Sequence, residues 1–387
     1  MSDMWNKLKK IALSSKDLAM LGSGNVLATG ISGIFWFYIA SLIEVDSYGE
    51  ISYFIAIASL VGVISTVGAQ NTITVFTAKG EKIVQELAFV SLMTGLISSI
   101  ILFLIFFNIG ASLYVIGYIL FAIISSEILG RKFYKTYAKY MISQRILMIL
   151  LAIGFYYLIG NDGVIIGLGL SFFVYSYRLL KDRKNLNFDL SKLKPKKNFI
   201  IHNYATDLAS ILTGSLDKII IAPLFGFIIL GNYQLGIQFL TVLLLIPSIV
   251  YQYILPQDSS GIRNKKLKLI LIITSIFISG FGIILSPIVI PVLFPKFSET
   301  IQVVQIISLI LIPHSFIIIF QSQFLALLKS KIVLFGNIIF VMVQIPSIII
   351  LGNIFGINGI ALGMVFASLG HAVFYAISNK RIQNKII

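Results

Sequence analysis

The chain has no cysteine in its 387 residues, no proline before Pro195, only three histidines, and 15 acidic side chains against 30 basic ones. Lack of cysteine removes disulfide, metal-thiolate and thiol-nucleophile chemistry together. So few histidines and carboxylates leave little for a metal centre or for acid–base catalysis, and the motifs that would organise either are missing. There is no Gly-x-x-x-x-Gly-Lys-Ser/Thr phosphate loop, no His-Glu-x-x-His pair and no serine nucleophile elbow. An enzyme is not expected, and neither is a cofactor. Charge of either sign is scarce too: 12% of residues are charged and 58% hydrophobic, with a mean hydropathy of +0.97. A soluble domain carries about 25% charged residues. Lipid must be the solvent.

Crossing a hydrocarbon layer of about 30 Å takes roughly 20 apolar helical residues. Twelve such stretches follow one another: Leu18–Ile43, Tyr48–Phe76, Ile83–Phe107, Ala111–Leu129, Met141–Ile159, Gly163–Leu180, Phe199–Leu224, Phe227–Leu255, Leu269–Phe294, Thr300–Leu328, Ile332–Leu351 and Gly356–Ile377. None shows the two-residue alternation of a membrane barrel strand. All Lys and Arg residues except Lys218 and Lys296 are assigned to every second gap or to the termini. Basic residues resist translocation, so those gaps and both termini are expected on the cytoplasmic side of a cell membrane. The net charge of +15 is dispersed over these segments, which argues for topology and anionic-lipid contact rather than for nucleic acid. A cleaved leader is not expected, because the first apolar run is too long and lacks a small-residue cleavage site.

The two halves read alike. Superposing Gly49 on Gly231 places Asn25 on Asp207, and Gly160, Gly163 and Gly167 recur with the same spacing as Gly356, Gly359 and Gly363. Six spans per half is an even number, so the halves enter the membrane in the same direction, an arrangement known from transporters. The expected organisation is an N-terminal lobe over 1–180, a basic cytoplasmic linker over 181–198 and a C-terminal lobe over 199–387. In the second half, Pro247, Pro287, Pro291, Pro313 and Pro346 predict bends.

Polar residues in the spans fall at helical spacing. Asn203, Asp207, Ser210, Gly214 and Asp217 share one face of span seven. Span eight carries Gln234, Gln238, Thr241, Ser248 and Gln252, and span one carries Asn25, Thr29, Ser32 and Trp36. Such groups are costly in hydrocarbon and mark either a wet cavity or interhelical hydrogen bonding. The two long stripes favour the cavity. Asp207 lies deep enough that its charge needs water or a partner, making it the candidate for coupling to Na+ or H+.

Several segments resemble the polysaccharide transporters, with the Wzx-type O-antigen flippases, of the multidrug/oligosaccharidyl-lipid/polysaccharide (MOP) flippase superfamily. They are Gly24-Asn25 with Tyr38-Ile39-Ala40 and Tyr48-Gly49, Leu216-Asp217-Lys218-Ile219-Ile220 with Leu230-Gly231-Asn232-Tyr233, Leu293-Phe294-Pro295-Lys296-Phe297-Ser298, and Gly352 to Ala361. The resemblance implies an all-α fold of two six-helix lobes around a cavity lined by spans one, two, seven and eight. It also implies alternating access, a polyprenyl-(pyro)phosphate-linked oligosaccharide as cargo, and glycosyltransferases or a polysaccharide polymerase as partners. Related flippases hold the phosphate with cationic cavity residues, whereas this chain carries almost no basic residue assigned to mid-membrane depth. Lys79, Arg131, Lys132 and Lys218 are the remaining candidates. A multidrug exporter of the same superfamily and a non-transporting scaffold for glycan assembly are the alternatives.

Overall fold

The computed structural model describes residues 24, 27–181, 189–261 and 264–383; Asn25 and residues 182–188 of the linker lie outside them. Among the described residues the chain is helical, with no strand. In chain order the helices are α1 (Leu27–Leu42), α2 (Val45–Thr66), α3 (Ala69–Ala78), α4 (Val84–Phe106), α5 (Ile109–Gly130), α6 (Tyr134–Ile159), α7 (Asn161–Ser171) and α8 (Ser176–Lys181). After the linker come α9 (Lys197–Phe225), α10 (Phe227–Leu243), α11 (Leu245–Ser259), α12 (Lys265–Leu293), α13 (Thr300–Ser308), α14 (Leu311–Ala326) and α15 (Ser330–Gln383). Eight helices are long and apolar enough to cross a membrane, or nine if the bent pair α10–α11 is one span. Three local features separate that number from the twelve stretches in the sequence. The described part of α1 is short, a 3-10 turn at Phe172–Tyr175 divides α7 from α8, and α15 contains the last two stretches, interrupted at Gly356.

Several of these helices are inside-out by the standards of a soluble protein. The buried positions of α4 include Glu86, Ser91, Gly95 and Ser99, and those of α12 include Ser275, Ser279, Gly282 and Ser286. Ile97, Ile100, Leu104 and Ile105 on α4, and Phe277, Phe281, Ile284 and Val292 on α12, are exposed. Lipid supplies no hydrophobic drive between helices, so small residues that permit close approach and hydroxyls that bond a neighbour's carbonyl occupy the contacts. Ser99 and Ser112 illustrate this: each hydroxyl donates to the other residue's carbonyl, at 2.9 and 3.0 Å.

The recurring glycines have matching jobs. Gly160 (φ 78°) and Gly356 (φ 58°) both turn the chain through left-handed backbone, which favours glycine. A Cβ on Gly163 would strike the Phe155 carbonyl, and one on Gly359 the Leu351 carbonyl; Gly167 is likewise pressed on Ala152, and Gly363 on Ser347 and Ile348. Each set lets a helix fold back against the one before it. Proline acts unevenly. The chain breaks at Leu244, three residues before Pro247, with a bend of 44°, and at Leu309–Ile310 before Pro313, where the ring would meet the carbonyl four residues back. Pro287 and Pro291 sit within α12 and Pro346 within α15 while the helix continues. The proline-free half also has a broken helix: α2 gives way to α3 at Val67 (φ 50°) and Gly68 (φ 74°).

Two compact units emerge, Ile57–Leu208 with the described part of Met1–Ser32, and Gly33–Ala56 with Ala209–Ile387. In the first unit, the end of the linker forms a 3-10 helix, Leu190–Lys196, tied to the start of α4. Lys192 Nζ is 2.6 Å from Glu86 Oε1 and Lys196 Nζ is 2.6 Å from Glu81 Oε2. In the second unit, the C-terminal end of α1 and the N-terminal end of α2 pack on α10 and the turn after α12. Gly49 abuts the Phe227 carbonyl and Gly231 abuts the Val45 carbonyl; Tyr48 meets Phe297 edge-on, and Lys296 pairs with Glu44 at 2.6 Å. Elsewhere in this unit, Asp258 bonds Lys268 Nζ at 2.7 and 2.8 Å and accepts from Ser322 Oγ at 2.7 Å. Only 4% of the Asp258 side chain and 12% of the Lys268 side chain are exposed. Removing one member of a buried pair strands the other, at about 3–5 kcal/mol. Asp258→Ala is therefore expected to lower the melting midpoint of the detergent-solubilised protein sharply, and Asp258→Ala with Lys268→Met to recover much of that loss.

Candidate functional site

The break at Gly68 builds the most suggestive group in the first unit. A Cβ there would lie 2.6 Å from the Ile200 carbonyl and 2.9 Å from the Tyr204 nitrogen, so only glycine lets α3 start directly against α9. That approach brings Asn71 to Asp207: Asn71 Nδ2 donates to Asp207 Oδ1 at 3.0 Å. One residue earlier, Gln70 Nε2 donates to Tyr118 OH at 3.2 Å, and Tyr118 lies within electrostatic reach of Asp207. The other carboxylate oxygen, Oδ2, is buried and has no hydrogen-bond partner among the described residues. Asp207 is thus a half-buried acid about 15 Å along α9 from its first residue, with one oxygen satisfied and the other buried without a partner among the described residues.

The remaining polar residues of the stripes divide between the units. Thr29 and Ser32 of α1 and Asn203 belong with Asp207 in the first unit. Ser32 Oγ is buried without a partner, whereas Asn203 Nδ2 turns back to the Phe199 carbonyl at 3.0 Å. Ser210, Asp217, Lys218, Gln234, Gln238, Thr241 and Gln252 belong to the second. Gln234 Oε1 is buried without a partner, Thr241 donates to the Ile237 carbonyl at 2.9 Å, Gln238 is half-buried, and Ser210 and Gln252 are exposed.

Asp217 contrasts with Asp207. It accepts from Tyr233 OH at 2.9 Å and from Lys218 Nζ at 3.1 and 3.3 Å, and Lys218 Nζ also donates to the Gly214 carbonyl at 2.9 Å. With 3% of its side chain exposed and both oxygens engaged, Asp217 is a finished internal hydrogen-bond centre. The four basic candidates also differ. Lys79 is exposed, with Nζ 5.3 Å above the Phe76 ring; Lys132 is exposed at φ 61°; Arg131 is 2.6 Å from Glu127 Oε1; and Lys218 is held as described. Among the described residues no group of three or more His, Cys, Asp or Glu could hold a metal ion.

Asn71 and Gln70 lie outside the polar stripes read from the sequence, although an adjacent amide pair two residues after a glycine inside an apolar stretch is a usable signal. The distribution of basic residues places Arg145 in a basic gap. The structure puts Arg145 inside α6, about 16 Å from that helix's first residue.

No protein-family model matches the chain, and no curated protein matches it in sequence. Solved structures do match. The lipid II flippase MurJ in an inward closed conformation aligns with a TM-score of 0.77 at 16% identity, covering 92% of this chain and 87% of that one. An inward-facing multidrug resistance MATE family transporter of the MOP superfamily gives 0.72 at 14% identity, covering 93% and 95%. A MOP superfamily transporter from Pyrococcus furiosus gives 0.57 at 15% identity, covering 95% and 96%. At such identities the likeness speaks for the fold. Apolar helices of spanning length, contacts between them made by small and hydroxyl residues, and these structural relatives together make this a multi-pass membrane protein with the fold of the MOP-superfamily transporters.

Proposed function

We propose that the chain is a flippase that moves a polyprenyl-(pyro)phosphate-linked oligosaccharide from the cytoplasmic to the external leaflet of a cell membrane for glycan assembly. The observation that carries a transport reading is Asp207, an incompletely bonded acid on a membrane helix whose neighbours include Asn203 and Asn71. A scaffold has no use for an open carboxylate oxygen at that depth, where an unmet polar group costs free energy. Amide and hydroxyl groups suit a sugar, while the polyprenyl tail stays in lipid. The segment resemblance and the overall likeness to a lipid II flippase support this cargo class.

In this reading the two six-helix halves, 1–180 and 199–387, rock about the basic linker with both termini cytoplasmic. Asp207 takes the coupling Na+ or H+, and Lys79 and Lys132, free of ion pairs among the described residues, meet the phosphate at the cytoplasmic mouth. Glycosyltransferases or a polymerase supply and consume the cargo. The likeness to a multidrug transporter favours one competing reading, export of small amphipathic molecules.

Reconstitution into vesicles separates them. Fluorescent lipid-linked oligosaccharide in the inner leaflet is expected to become accessible outside when the protein is present, faster with a sodium or proton gradient. Movement of cationic dyes without movement of any lipid-linked sugar would replace the flippase with the exporter.

A further inference from the structure

Arg145 is the least accounted-for charge in the first unit. It lies near the middle of the 26-residue helix α6, between buried and exposed in class, and its Nε is buried with no hydrogen-bond partner. The guanidinium's one hydrogen bond among the described residues runs from Nη1 to the sulfur of Met148, at 3.6 Å, and thioether sulfur is a weak acceptor. No described carboxylate pairs with it. Glu81 and Glu86 are held by the linker lysines, Glu127 by Arg131 and Arg178, and Asp207 by Asn71. The ionisable side chains within electrostatic reach of Arg145 are phenols: Tyr114 from α5, Tyr137 from α6 itself and Tyr175 from the 3-10 turn. Tyr140 stacks on Tyr175 with ring centroids 5.4 Å apart, fixing that wall.

An arginine inside a membrane helix bundle is costly, and the cost is normally met by an acid, by carbonyls or by a ligand. Among the described residues neither of the first two meets it. Five N–H donors in a planar fork, joined by phenolic O–H donors, match the oxygens of a phosphate group better than any single-point acceptor. Among the described residues no carboxylate lies within electrostatic reach of Arg145 to repel an anion. We propose that Arg145, with the hydroxyls of Tyr114, Tyr137 and Tyr175, forms an anion site within the first unit that takes a phosphate or pyrophosphate group. As a site for cargo it rests on the flippase reading; as an anion site it stands without it.

The test uses the full chain in detergent and measures binding of geranylgeranyl pyrophosphate, inorganic pyrophosphate and uncharged geranylgeraniol. Arg145→Gln is expected to weaken geranylgeranyl pyrophosphate at least tenfold, Arg145→Lys to recover part of the loss, and geranylgeraniol binding to stay the same. If inorganic pyrophosphate shows the same dependence, the site recognises the anion alone; if only the prenylated compound does, the site takes a lipid headgroup. Equal affinity of wild type and Arg145→Gln for both pyrophosphates overturns the proposal. Should Arg145→Gln fail to fold, Tyr137→Phe and Tyr175→Phe retain charge and rings, and each is expected to weaken binding about threefold or more; unchanged affinity in both also overturns it. Arg145-dependent binding without any translocation in vesicles counts against the flippase and leaves the anion site standing. Translocation with Arg145-independent binding does the reverse.

Discussion

Asp207→Asn is expected to remove the gradient dependence of cargo movement, cutting the driven rate at least tenfold while leaving slow exchange between leaflets. The substitution keeps the shape of the side chain, so the bond with Asn71 can persist through the amide oxygen. What disappears is the charge on an oxygen that no described group satisfies. A carboxylate in that setting changes its energy greatly between protonated, cation-bound and bare states, and a membrane protein that cycles between them can couple an ion to a change of shape. Asn71→Ala removes the 3.0 Å bond but not the charge, so it should alter the ion concentration needed for half-maximal rate rather than abolish coupling. A purified Asp207→Asn protein that still responds fully to both sodium and proton gradients would remove Asp207 from the coupling role.

The second large effect concerns stability. Gly49→Ala and Gly231→Ala should each destabilise the protein by about 3 kcal/mol, the upper range for forcing a methyl group into a packed interior. At these positions a Cβ would collide with backbone: the Phe227 carbonyl for Gly49 and the Val45 carbonyl for Gly231. Backbone oxygens in two helices cannot rotate away as a side chain can. Because the two glycines share one crossing, the double variant should lose clearly less than the two single losses added together. Gly280→Ala is the control, since a Cβ there meets nothing within 4 Å and alanine is the better helix former by about 1 kcal/mol. Thermal melts of the solubilised protein, monitored by size-exclusion fluorescence, compare the variants; a Gly49→Ala melt that matches the control would contradict the packing argument.

Particular residues show how far the sequence could be read. The recurrence of Gly160, Gly163 and Gly167 as Gly356, Gly359 and Gly363 was visible as spacing, and the structure gives both sets one task, a left-handed turn followed by a helix pressed on its predecessor. Proline was a poorer guide. The chain breaks before Pro247 and Pro313 yet α12 runs through Pro287 and Pro291; at Pro287 the freed Ile283 carbonyl accepts from Gln305 Nε2 and Ser286 Oγ, at 3.5 and 3.2 Å. Helix breaks in the first half had no proline to announce them. The polar stripes were legible as faces of helices, because a helix puts every third or fourth residue on one side. Their hydrogen-bond partners were not: Asn71 is 136 positions from Asp207, and periodicity within one helix carries no information about which distant helix packs against it.

Composition, apolar length and the distribution of basic residues fixed a lipid-solvated bundle of helices, because the energy of moving side chains between water and hydrocarbon is a property of each residue and simply adds along the chain. Which charges remain unmet is a different kind of quantity. Asp207 and Asp217 look alike on one helix face, yet Tyr233 and Lys218 saturate one and Asn71 half-satisfies the other. Arg145 reads as one more basic residue until tyrosines, and no acid among the described residues, prove to lie within its electrostatic reach. Pairing depends on three-dimensional proximity between distant segments, so only the packed structure could decide it.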